Sequence, residues 1–236
     1  MVDRQAADGP GITGISSMAT RGMVLQLSQA HARASTQKVA IESVGGVAAM
    51  QRVRDGARFD FVVLAADAID RLIADGLLVA DSRVDIARSG VAVAVREGAA
   101  RPDIGSEQAV RAAVLDARSV GYSTGPSGAH LMRLFARWGI ADAIAPRLVR
   151  APPGVAVGTL LAHGDVALGF QQSSELLHVS GIDIVGTLPS DIQCVTTFSA
   201  ALCASSTQQT AARILLAFLG SADAGFARRE HGMTSP

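Results

Sequence analysis

Short apolar runs of strand length alternate with stripes of helical period from Ile12 almost to the C-terminus. That alternation predicts an α/β architecture with largely parallel strands, because each strand hands over to a helix that crosses back along the sheet. Ile12–Ser17 reads as the first strand and Thr20–Ser35 as the helix after it, with Met23, Leu27, Ala30 and Ala34 repeating on one face. A strand at Lys38–Ser43, a short helix at Val47–Arg54, a buried strand at Phe59–Ala65 and a helix at Ile69–Asp75 follow, the last stopped by Gly76. Val84–Val95 is long for one strand in a compact body, and Arg88-Ser-Gly90 breaks its apolar run, so it predicts a crossing between two lobes.

The pattern then gives a helix at Ser106–Ala117, a strand at Val120–Ser123 and a helix at Pro126–Gly139, where Leu131, Leu134, Phe135 and Trp138 make a core stripe. Arg147–Arg150 reads as a strand, Pro152-Pro-Gly154 as a turn, Val155–His163 as a helix and Val166–Gln171 as a strand. Strands at Ile182–Leu188 and Thr197–Ala204, a helix at Thr207–Leu219 and a short helix at Asp223–Gly232 complete the reading.

Composition narrows the partners. The 236 residues carry no formal net charge and only 4% aromatics, so no nucleic-acid footprint or polybasic membrane patch is expected. No run reaches the ~20 apolar residues of a spanning helix, so no direct membrane insertion is expected. The start, Met1–Pro10, has no apolar segment of the secretory kind; as it stands the chain reads as cytoplasmic, or as periplasmic if a leader has been removed. Cys194 and Cys203 match no zinc or redox spacing, leaving a disulfide or two buried thiols as the alternatives. The histidines show no metal-ligand spacing, so neither metal nor cofactor is expected.

The candidate chemistry begins at Gly121-Tyr-Ser-Thr-Gly-Pro-Ser-Gly128, a strand end that turns through hydroxyl residues into a helix opened by Pro126. Helix N-terminal amides carry partial positive charge, so this turn can hold an anion; the alternative is a well-capped turn and nothing more. Other predicted strand ends repeat the chemistry: Ser16 and Ser17, Ser43 through Gly46, Ser123, Thr124 and Ser127, Gln171 and Gln172, and Thr196 and Thr197 where a later strand starts. Ligands of open α/β sheets bind at carboxyl ends of strands, so these residues together describe a polar cleft for a small anion. Arg21 reads either as a cation aimed at a carboxylate or as a solvated first-turn side chain. An enzyme on this cleft needs a proton carrier, and His130 and Glu175 are the candidates; the alternatives are a core-edge imidazole and a carboxylate placed by the dipole of a helix turn. No P-loop and no nucleophile elbow occur, and Gly9-Pro-Gly-Ile-Thr-Gly14 precedes the first strand instead of following it, which excludes a dinucleotide loop.

The order of elements, the opening Ile15-Ser-Ser-Met-Ala19, the turn Ser43–Gly46 and the helix Asp67-Ala-Ile-Asp-Arg-Leu-Ile-Ala-Asp-Gly-Leu77 resemble the molybdate-binding periplasmic proteins. The resemblance covers nearly the whole chain and implies the two-lobed type II periplasmic-binding-protein fold, with residues 1–85 and 200–236 forming one lobe and 86–199 the other. It implies ligand contacts at Ser17, Ser43 and Ser123–Ser127, and the membrane component of an ABC transporter as partner. Ser17-Met-Ala19 and Ser43-Val-Gly-Gly46 depart from that family's Ala-Ala-Ser-Leu and Gly-Ser-Ser-Gly, and its late tyrosine has no counterpart. Gly121–Gly128, Gly169-Phe-Gln-Gln-Ser-Ser-Glu-Leu176 and Thr196-Thr-Phe-Ser199 instead look similar to an aconitate isomerase subgroup. That likeness implies a carboxylate ligand, bound as by a solute receptor or isomerised by allylic proton transfer.

Overall fold

A computed structural model describes residues 11–35 and 37–236; the expectations for Met1–Pro10 lie outside them. The strands form a pair of five-stranded sheets. In the first, β1 (Ile12–Ser17) lies between β2 (Val39–Val44) and β3 (Phe61–Ala65), and β10 (Thr196–Leu202) lies between β3 and β4 (Val84–Ser89). The second has the order β7 (Leu148–Arg150), β6 (Val120–Tyr122), β8 (Leu168–Gln172), β5 (Val91–Arg96) and β9 (Ile182–Thr187).

Helices cover both faces of each sheet. On the first, α1 (Arg21–Ser35), α9 (Gln209–Gly220) and α10 (Gly225–Glu230) pack on one face, and α2 (Gly46–Arg54) and α3 (Ala66–Ala74) on the other. Strand alternation divides the core: Phe61, Val63 and Ala65 face the first group, while Val62 and Leu64 face the second. On the second sheet, α4 (Glu107–Asp116), α5 (Pro126–Arg137) and α6 (Ala141–Ile144) cover one face, and α7 (Val157–His163) and α8 (Ser173–Leu176) the other. Leu131, Leu134 and Phe135 of α5 are buried in this core. Gly14 makes room in β1 for its neighbour, since a Cβ there would lie 2.2 Å from the Phe61 ring.

The expectation of largely parallel strands is corrected. β1 pairs parallel with β2 and β3, and β6 with β7 and β8, but β10 and β5 each enter antiparallel to both neighbours. The long segment Val84–Val95 is β4 and β5, broken at Gly90 and shared between the sheets. The expected divisions at 85/86 and 199/200 cut through β4 and β10, which pair with each other from Thr196↔Ser89 to Ala200↔Val84; we place the divide at 89/90 and within 188–195.

This topology positions the cleft. Ser89, at the end of β4, lies opposite Thr196 at the start of β10, and Val91, at the start of β5, lies opposite Gln172 at the end of β8. Both crossings therefore join the carboxyl edges of the parallel strands, and those edges face each other across the gap. The side chain of Gln193 ties the crossings together: its Oε1 accepts from the N–H of Val91 at 2.8 Å, and its Nε2 donates to the carbonyls of Val91 at 3.1 Å and Leu188 at 3.2 Å.

Candidate functional site between the carboxyl edges

Ser16, the penultimate residue of β1, is fully buried, and its hydroxyl meets that of Ser43 across the β1–β2 pair at 2.8 Å. Ser17 precedes a 3-10 turn, Met18–Thr20, and its hydroxyl lies 3.3 Å from that of Thr20. Opposite, Ser123 and Ser127 share a 3.0 Å hydroxyl contact at the start of α5, with Ser127 buried and Thr124 exposed. Arg21 is exposed at the first residue of α1 and makes no ion pair with a described residue.

The 3-10 turn leading into α1, and the starts of α2 and α5, lie beside the hydroxyls just named and, like those of α9 and α10, carry neither a side-chain cap nor an acidic residue in the first turn. By contrast α4, away from this edge, carries both: Ser106 accepts from the N–H of Ala109 at 3.1 Å, and Glu107 occupies the first turn. Uncapped first-turn N–H groups take their partners from solvent or from a ligand, and an anion suits them electrostatically.

The later candidates form the floor. Gln172 is buried and donates from Nε2 to Thr196 Oγ1 at 2.8 Å, tying the lobes; its Oε1 is buried without a partner among the described residues. Thr197 is half-buried beside it. Gln171 is also buried, but both ends of its amide are committed: Oε1 accepts from the N–H of Val157 at 2.8 Å, and Nε2 donates to Glu175 Oε1 at 2.9 Å. Glu175 lies in the short helix α8. Burial pushes its carboxyl up to about 7 against the lowering effect of the Gln171 bond. His130 is tied to the crossing: its Nε2 lies 2.8 Å from the carbonyl oxygen of Ile192, which can only accept, so the ring donates there and a neutral imidazole keeps Nδ1 unprotonated.

Several contacts at the lobe junction escaped the sequence reading. Ser89 donates to Ser174 Oγ at 3.4 Å, and Ser173 Oγ to the carbonyl of Gly90 at 3.0 Å. At one side of the cleft His178, after α8, meets His231, after α10, with Nε2 and Nδ1 3.2 Å apart. Serines before and after a strand break were the available signal for the first pair; nothing local marks the histidines. Both cysteines are free thiols: Cys203 is buried, its thiol pushed up to about 12, and Cys194 is half-buried and also raised by burial, so neither is a ready nucleophile.

Known proteins agree with this architecture. A family model for bacterial extracellular solute-binding proteins matches residues 12–234. The chain is 37% identical over 228 residues to an aconitate isomerase from a Pseudomonas species, covering 94% of this chain and 87% of that protein. Among solved structures it resembles the periplasmic molybdate-binding protein of Azotobacter vinelandii, with a TM-score of 0.80 at 18% identity over 95% of this chain and 99% of that one. It also resembles a tungstate ABC transporter structure from Geobacter sulfurreducens, with a TM-score of 0.73 at 13% identity over 93% and 97%. At such identities the structural likeness shows the fold alone, which is the two-lobed fold expected from the sequence. By its sequence over residues 12–234, the chain belongs to the bacterial extracellular solute-binding protein family.

Proposed function

We propose that the protein holds a small organic polycarboxylate between its lobes. The observation that carries this reading is that the starts of α1, α2 and α5 stand at the carboxyl edges of the sheets beside the hydroxyls of Ser16, Ser17, Ser43, Ser123 and Ser127, with no acidic residue in their first turns. Neutral donors of this kind satisfy an anion without a matching buried cation, since the amides offset its desolvation. A carboxylate is favoured over a metal oxyanion because the relative that shares 37% of its sequence acts on aconitate, whereas the molybdate protein shares only 18%. As a receptor the protein works in the periplasm and delivers its ligand to the membrane component of an ABC transporter. Calorimetry with cis- and trans-aconitate, citrate, tartrate, molybdate and sulfate tests the class: binding of a carboxylate supports it, and binding of molybdate alone overturns it.

A second reading is favoured by Glu175. A carboxyl that titrates near 7 at the lobe junction can take and return a proton at neutral pH, which a receptor does not need. In this reading the protein is a cofactor-free isomerase of an unsaturated tricarboxylate. Proton NMR with cis- and trans-aconitate in heavy water decides it: interconversion or deuterium uptake supports an isomerase, and unchanged spectra leave the receptor.

A further inference from the structure

We propose that Gln171 is a positioning residue that clamps one oxygen of Glu175 to the start of α7 and leaves the other to carry the proton of an allylic shift. This rests on the isomerase reading.

The clamp has a single chemical arrangement. A backbone N–H can only donate, so the oxygen of the Gln171 amide must face Val157, and its NH2 must then face Glu175. The amide cannot turn over without losing the Val157 bond, and it is only 2% exposed. The support behind it is rigid. Gly169 lies on the same face of β8, and a Cβ there would come within 2.7 Å of Leu161 and 2.8 Å of Val157, so α7 is pressed against the strand that carries Gln171.

The second oxygen of Glu175 is the one left over. Among the described residues the carboxyl makes a hydrogen bond only to Gln171. Its helix, α8, packs against the turn Met18–Thr20 of the opposite lobe, and the adjacent Ser174 bonds Ser89 across the gap. Glu175 thus stands where the lobes meet, with one oxygen fixed and one uncommitted.

The reaction balances without any other reagent. The free oxygen takes a proton from the methylene carbon of the substrate, and the electrons of that C–H bond enter a new double bond to the central carbon. The electrons of the old double bond move onto the neighbouring substrate carboxylate and then take the proton back from Glu175 at the former vinylic carbon, leaving a single bond there and the carboxylate regenerated. Donors around the cleft hold the dienolate charge. By donating to the charged carboxylate, Gln171 also opposes the effect of burial, so its loss should make Glu175 harder to ionise.

The experiment compares the wild type with Gln171→Met and Glu175→Gln, following aconitate isomerisation against pH, and titrates the Glu175 carboxyl by carbon-detected NMR. Expected results are a rising limb near 7 in the wild type, a limb and a titration both moved to higher pH in Gln171→Met, and kcat down about tenfold at neutral pH with little change in KM. Glu175→Gln should still bind aconitate by calorimetry but lose at least about a hundredfold in kcat, the scale of general acid–base catalysis. An active enzyme whose profile and titration stay in place in Gln171→Met overturns the clamp, as does a Glu175→Gln variant of normal activity should Gln171→Met not fold. A wild type that isomerises nothing, with a titration that still moves, overturns the isomerase reading and leaves the clamp standing.

Discussion

At the scale of single residues, Glu175 makes the stability of the fold depend on pH in the sense opposite to a salt-bridged carboxylate. Its pKa is raised from 4.5 to about 7 by burial, so between those values the folded protein holds a proton that the unfolded chain has lost. Stability from this group is full below 4.5, falls as pH rises through the window, and stays low above 7. Glu175→Gln keeps the amide contact without the charge. It should therefore gain roughly 2–3 kcal/mol over wild type at about pH 8 and nothing at about pH 4. Urea denaturation at both values checks this, and an equal gain at both would assign the effect to packing. The sequence named Glu175 and Gln171 as candidates but not their connection. The bond from Gln171 to Val157 spans α7 and the turn at Gly164, and such contacts leave no periodic trace; α8 is too short to show a helical stripe.

At the scale of elements, the start of α5 shows how closely its loop is built. A Cβ on Gly128 would fall 1.7 Å from the carbonyl oxygen of Ser123, so the loop carrying Ser123 rests directly on the helix backbone. Gly128→Ala should cost about 3 kcal/mol, measured by thermal denaturation, and should also lower ligand affinity because the loop must lift. Replacing Ser123 and Ser127 together by Ala removes a pair of donors, each worth roughly 1.5–3 kcal/mol to a charged ligand. Calorimetry should show affinity down by well over tenfold, and an unchanged value would move the site away from α5. Elements were the most legible level in the sequence. β1 runs over Ile12–Ser17 as read, and α5 starts at Pro126 as read. The directions of β5 and β10 were not legible, because a buried apolar run such as Val91–Val95 looks the same whichever way its neighbours run.

At the scale of the whole molecule, the contact between His178 and His231 couples the lobes to pH. His231 donates from Nε2 to Gln26 Oε1 at 2.9 Å, and Gln26 in turn donates to Glu230 Oε2 at 2.5 Å, so Nδ1 of His231 must accept from His178. Burial and the facing His178 lower the pKa of His231 below 6.5, against the pull of Glu230. The exposed Arg229 of α10 and Arg21, beside the Gly22 on which the His231 ring rests, add further positive charge nearby. A lowered histidine pKa gives stability that is full above 6.5 and is lost as pH falls from there toward the folded value. Small-angle scattering of the ligand-free protein should show the lobes opening as pH falls below 6.5, an effect that His231→Gln abolishes. Opening that persists in the variant would place the switch elsewhere. The two-lobed plan was legible from the broken run at Arg88–Gly90, while this bridge joins residues 53 apart in sequence and was not.

The position of β10 between β3 and β4 also orders events during synthesis. Every strand of the second sheet lies within residues 91–187, one uninterrupted stretch. The first sheet lacks its inner strand until residues 196–202 have emerged, and until then β4 has no partner beside β3. The lobe that begins first is therefore the one completed last. The nascent chain carries exposed strand edges from its N-terminal half, a substrate for chaperones, until its last fifth arrives to close them.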